Sequence, residues 1–183
     1  MNPNNLQRER KRNRLQYYDY SQNGWYFITI CTKNREEFFG KIKNDQMILN
    51  EIGEITKQCW IEIPNHFSNV VLDEFVIMPN HVHGIIVIRN VDNIIMGNKD
   101  VCSLQDGLWQ TKLSGSLSSI VRGFKIGVTK WCHQNNVNNF LWQKSFYDHV
   151  IKDEKSLYNI RTYIHNNPLK WAMDKNNLEN LYY

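Results

Sequence analysis

The chain predicts an α+β fold, a ferredoxin-like antiparallel sheet with helices on one face and a further C-terminal helix. Three observations carry that prediction. Period-two runs rich in β-branched and aromatic residues alternate with two longer runs of helical period, in the order β-α-β-β-α-β. The two central runs, about 70–78 and 81–89, are joined by only M-P-N, so they must pair antiparallel. With 183 residues, 42% apolar and 13% aromatic, the chain can bury one substantial core.

The elements follow in order. G-W-Y-F-I-T-I-C at 24–31 reads as the first strand. F-F-G-K-I-K-N-D-Q-M-I-L-N adds a short hairpin with N-D near its turn. Asn50 caps a helix through about Ile63, with Ile52, Ile55, Trp60 and Ile63 at helical spacing and Pro64 as its stop. Residues 90–112 lack periodicity and read as a long exposed loop. A helix near 116–134 follows, with the stripe Leu117, Ile120, Val121, Phe124, Val128 and Trp131 and serines at its start. S-F-Y-D-H-V-I at 145–151 is the last strand. Asp153 then caps a helix over about 154–166 that Pro168 ends.

Charge is segregated. The net charge is +4, and the run R-E-R-K-R-N-R at 8–14 holds the same excess in Arg8, Arg10, Lys11, Arg12 and Arg14 against one acid. The rest of the chain is neutral. A solvated tail is the plainer reading of such a run, but it also attracts phosphate through counterion release. No apolar run approaches the roughly 20 residues of a membrane span. No hydrophobic secretory leader is visible at the N-terminus, and the four cysteines show no C-x-x-C pair, so a cytoplasmic protein without membrane association is expected.

The chemistry concentrates in V-I-M-P-N-H-V-H-G-I-I-V-I. His81 and His83 are two apart on a strand and share a face, so both imidazoles can reach one cation. Two core histidines are the plain alternative. A third ligand must come from elsewhere, and Asp73, Glu74, His66, His149, His165 and Asn167 are all candidates by spacing. On the last helix Leu157, Ile160 and Ile164 face the sheet, while Tyr163 lies about 60° past Ile160 on the shoulder of that stripe. Asn167 sits one turn further on, and Arg161 and His165 nearby are either phosphate contacts or plain surface charge.

Five segments together carry a resemblance. They are Y-D-Y-S-Q-N-G-W-Y-F-I-T-I-C-T-K-N-R at 18–35, L-D-E-F-V-I-M-P-N-H-V-H-G at 72–84, S-L-S-S-I-V-R-G-F-K at 116–125, L-W-Q-K-S-F-Y-D-H-V-I at 141–151 and R-T-Y-I-H-N-N-P-L-K-W at 161–171. In this order they resemble the REP-associated tyrosine transposases, a branch of the HUH single-strand transposases related to insertion-sequence 200 elements. The loop at 90–112 matches no family feature.

The resemblance implies a basic tail over 1–20, an HUH transposase domain over 21–170 and a C-terminal tail over 171–183. It implies Tyr163 as nucleophile, and His81 and His83 as ligands of Mg²⁺ or Mn²⁺ with Asn167 completing the site. The implied reaction cleaves and rejoins single-stranded or hairpin DNA from palindromic repeats through a 5′-phosphotyrosine link, in a monomer or homodimer. Arg8, Arg10, Lys11, Arg12, Arg14 and Arg161 would bind DNA. Unstacked bases would have Tyr17, Tyr18, Tyr20, Trp25, Tyr26, Trp109, Trp142 and Tyr147 available for stacking. Two alternatives use the same residues differently: a metal-dependent nuclease with water as nucleophile, and a hairpin-binding protein that does not cut.

Overall fold

The computed structural model describes residues 18–90, 115–174 and 176–177. Arg8, Arg10, Lys11, Arg12 and Arg14, Tyr17, Trp109 and nearly all of the 90–112 loop lie outside the described residues.

Strand β1 (Gly24–Cys31) is followed by a hairpin, β2 (Gly40–Lys43) and β3 (Gln46–Leu49). Its turn is Asn44–Asp45, both at positive φ (49° and 59°), the geometry the N-D pair predicts. Helix α1 (Glu51–Ile61) starts at Asn50, whose side chain accepts from the Gly53 N–H. Pro64 does not simply stop it. The proline occupies the first turn of a second short helix, α2 (Ile63–His66), where its missing N–H costs nothing. Strands β4 (Val70–Met78) and β5 (His81–Ile88) pair antiparallel across a two-residue turn, with a register shift between Leu72 and Phe75. Helix α3 (Leu117–Gln134) is capped by Ser116, and β6 is Tyr147–Ile151. Helix α4 (Glu154–His165) begins where the Asp153 carboxylate accepts from the Ser156 N–H, and Pro168 opens a 3₁₀ segment through Met173.

The main sheet has the order β4-β5-β1-β6, and its paired neighbours are all antiparallel. That is the ferredoxin-like arrangement expected from the sequence, with a small hairpin inserted after β1.

Alternation along the strands builds two cores. Tyr26, Ile28, Ile30, Ile86 and Ile88 face Trp60 of α1 and Leu117, Ile120, Phe124 and Val128 of α3. Phe27, Ile85, Val87 and Ile151 point the other way and meet Ile164 of α4, with Leu157 and Ile160 alongside. The helices α1 to α3 therefore cover one face and α4 covers the other. Gly84 permits the closest approach: a Cβ there would stand 2.3 Å from Cζ2 of the fully buried Trp60. The histidine strand thus needs a bare backbone where α1 presses on it. Among the described residues, no helix is long and apolar enough to cross a membrane.

Candidate active site

His81 and His83 open β5 and share the α4 face with Thr29 of β1, because Thr29 pairs with His83 in register. Both imidazoles are buried, with exposures of 0% and 1%. Their Nε2 atoms are 3.0 Å apart. The other ring nitrogens are held from behind. Asn80 Oδ1 is 2.8 Å from His81 Nδ1, and Thr29 Oγ1 is 2.9 Å from His83 Nδ1.

The Asn80 amide settles the His81 tautomer. Its Nδ2 donates to the carbonyls of Arg35 and Asn176, both at 2.8 Å, so its oxygen faces the ring. An amide oxygen only accepts, so His81 Nδ1 carries the proton and Nε2 presents a lone pair. The Thr29 hydroxyl can donate to or accept from His83 Nδ1; when it accepts, both Nε2 atoms turn lone pairs toward one point, the arrangement a shared cation needs.

Tyr163 arrives from α4. Its hydroxyl lies 3.1 Å from His83 Nε2, and its ring meets Phe27 and His83 edge-on. It remains 39% exposed, so a substrate can reach it. Burial raises the phenol's pKa above its ordinary value, the Asp174 carboxylate raises it further, and the Asn167 amide beside it lowers it. Asn167 is buried, and its Oδ1 has no hydrogen-bond partner.

The sequence placed residues 171–183 outside the domain. Of these, Trp171, Asp174 and Asn176 reach the site. His81, His83 and Asp174 hold ligand atoms within 4.8 Å of one another and form a group that could bind a metal ion. Trp171 lies 6.0 Å from His81, ring to ring. Asp174 and Asn80 were not singled out from the sequence. Asn80 sits inside M-P-N-H-V-H, and its amide next to the first histidine was a signal. Nothing in the periodicity marks Asp174.

The other candidate ligands go elsewhere. Asp73 takes a bidentate grip from Arg161, with Nε and Nη2 at 2.8 and 2.6 Å. Arg161, the expected phosphate contact on this helix, ties α4 to β4, lies over the Trp25 ring at 5.8 Å and keeps 42% of its side chain exposed. His66, His149 and His165 are exposed and do not join the histidine group. Of the aromatics considered for base stacking, Tyr20 and Tyr26 are buried, whereas Tyr147 is 46% exposed at the mouth of the cleft.

No family model matches the chain. A Haemophilus influenzae protein named "Putative REP-associated tyrosine transposase" is 26% identical over 152 residues, covering 83% of this chain and 74% of its own. The solved structure of a REP-associated tyrosine transposase bound to a REP hairpin superimposes with a TM-score of 0.56 at 20% identity, covering 88% of this chain and 74% of that one. The chain has the fold of the REP-associated tyrosine transposases. A second Haemophilus influenzae protein, described only as uncharacterized, is 48% identical over 167 residues, covering 88% of this chain and 89% of its own. Within this REP-associated transposase fold, the two histidines, the tyrosine and the amide converge in one cleft of one chain.

Proposed function

We propose that this chain cleaves and rejoins single-stranded or hairpin DNA through a covalent 5′-phosphotyrosine intermediate, with Tyr163 as nucleophile. The observation that carries the reading is the 3.1 Å approach of the Tyr163 hydroxyl to His83 Nε2, beside a second imidazole and a carboxylate. A site for hydrolysis by water alone has no use for a half-exposed phenol at that position.

The residues fit a divalent ion. His81, His83 and the Asp174 carboxylate offer a mixed nitrogen and oxygen donor set that would hold Mg²⁺ or Mn²⁺, with the unpartnered Asn167 oxygen as the proposed further ligand. Such an ion supplies Lewis-acid stabilisation of charge on the phosphate and on the phenolic oxygen.

The chain's own part is positioning. Phe27 and His83 hold the phenol ring, and the Asn167 amide favours its ionised form. The phenolic oxygen bonds to phosphorus as the P–O3′ bond breaks. The electron pair leaves with O3′, and the proton lost by the phenol ends on that oxygen. The phosphotyrosine keeps the diester's bond energy, so a second 3′-OH can reverse the step and join new ends. A transposase domain over 21–170, extended by the segment that carries Asp174, and a basic tail at 8–14 that grips DNA complete the proposal.

The test is a Mn²⁺-containing reaction with labelled hairpin DNA, resolved on a denaturing gel. Wild type is expected to give a covalent protein–DNA band, and Tyr163→Phe to bind the hairpin while giving none. Cleavage by Tyr163→Phe that leaves a free 5′-phosphate would assign the nucleophile to water. Binding without cleavage by wild type would make the chain a hairpin-binding protein.

A further inference from the structure

Helix α3 has eighteen residues and no acid; its ionisable side chains are Arg122, Lys125, Lys130 and His133, with Cys132 buried beneath them. A solvated helix ordinarily mixes signs along its outer face. Here the basic residues border a groove of about 720 Å³, and Lys144 joins them from the segment before β6. Among the described residues, no carboxylate lines this groove. Its floor is apolar, with Val121 buried and Ile126 54% exposed. From Arg122 to His133 the helix runs about 16 Å, long enough for several basic side chains to follow one strand.

The groove also adjoins the catalytic cleft. Phe146 lines both, and Gln143, Ser145 and Tyr147 on either side of it line the cleft that contains His83 and Tyr163. Lys125 fixes this shared wall to α3, since its Nζ donates to the Gln143 carbonyl at 2.7 Å. Burial pulls that ammonium down to about 8. The half-exposed Tyr147 stands on the cleft side of the ridge.

We infer that the α3 groove is a track for single-stranded DNA continuous with the phosphate under attack, its phosphates on Arg122, Lys130 and Lys144 and its bases over Phe146 and the apolar floor. The inference rests on the DNA-cleavage reading above and adds where the flanking strand runs. Charge chooses the occupant. An apolar floor alone would suit a protein helix, but a border of one sign with stacking rings at the exit suits a polyanion whose bases are splayed.

The test uses the full chain carrying Arg122→Ala, Lys130→Ala and Lys144→Ala, all at exposed positions away from Tyr163. Folding is checked by circular dichroism and thermal melting. A triple charge reversal to Glu serves as the second variant. Affinity for a fluorescent single strand of about 20 nucleotides is read against salt. Loss of three phosphate contacts is expected to weaken binding at least tenfold and to flatten the log Kd–log salt slope by about 2. In the gel assay wild type should prefer hairpins with long single-stranded flanks over hairpins with flanks of about two nucleotides, and the variants should lose that preference. Unchanged affinity and slope in folded variants would overturn the track and leave the groove to an acidic protein partner. The two readings fail separately: if wild type forms no covalent band yet the substitutions still weaken strand binding, the track stands and the tyrosine chemistry falls.

Discussion

At the scale of single residues, Asn80 has the largest reach for its size. Its oxygen sets the His81 tautomer, and its nitrogen bonds two backbone carbonyls, one before the β2–β3 hairpin and one in the C-terminal segment. Asn80→Ala removes both functions. The freed carbonyls predict a loss of about 1–3 kcal/mol, or roughly 2–10 °C in melting temperature. Loss of the ring's back partner predicts Mn²⁺ binding weaker by about 10–100-fold, measured by calorimetry on folded protein. Wild-type Mn²⁺ affinity in the variant would mean that the ring needs no such support. Part of this candidate site was legible in the sequence. Strand alternation puts His81 and His83 on one face and helical spacing puts Tyr163 and Asn167 on one side of the last helix, because these are local periodicities; their joint roles came only with the resemblance. Asp174 was not legible, because its place beside the histidines is decided by how the chain folds back after Pro168.

At the scale of elements, the question is what holds the tyrosine helix in register with the histidine strand. Helix α4 buries Ile164 and leans Leu157 and Ile160 on β1, β5 and β6, and its polar anchor is the Arg161–Asp73 pair to β4. The guanidinium holds the Asp73 carboxyl below its ordinary value. A depressed carboxyl pKa stabilises the fold above the unfolded value of about 3.9 and ceases to do so as pH falls through the folded value. Arg161 is 42% exposed on its side chain, so solvent screens the pair and its worth is under about 1 kcal/mol despite the bidentate geometry. Asp73→Asn is therefore expected to melt slightly below wild type at pH 7, and the gap should close as pH falls well below the ordinary carboxylate range. A gap that persists unchanged there would mean that the pair contributes through packing rather than charge. The same contact explains a difference from the sequence reading. Spacing marks Arg161 as exposed beside Tyr163, but no local pattern announces that Asp73 on a distant strand will claim it. Pro64 is similar: its rule ends a helix, and only the close packing of α2 after α1 shows that it also begins one.

At the scale of the whole molecule, one chain assembles every part of the site. β1 gives Thr29, the turn into β5 gives Asn80, β5 gives both histidines, α4 gives Tyr163, and the chain beyond it gives Asn167 and Asp174. Sequence order predicted the sheet that does this, because β-α-β-β-α-β allows few antiparallel arrangements. It did not show on which face α4 would lie, and that face decides whether Tyr163 meets its own histidines. Transposases that exchange helices between subunits would place the tyrosine of one chain against the histidines of another. Here the 3.1 Å hydroxyl–imidazole contact is made within a single chain. A complementation experiment follows. Tyr163→Phe keeps the histidines, and a His81→Ala, His83→Ala double variant keeps the tyrosine. Mixed at equal concentration with hairpin DNA and Mn²⁺, they are expected to give no covalent band above either alone, whereas a shared site would restore up to about a quarter to a half of wild-type yield if subunits exchange freely. With the hairpin saturating, wild-type adduct formation should also follow first-order kinetics with a rate constant independent of protein concentration. Recovery in the mixture would place the working tyrosine in a partner subunit, and the α4 packing described for one chain would then be a resting arrangement.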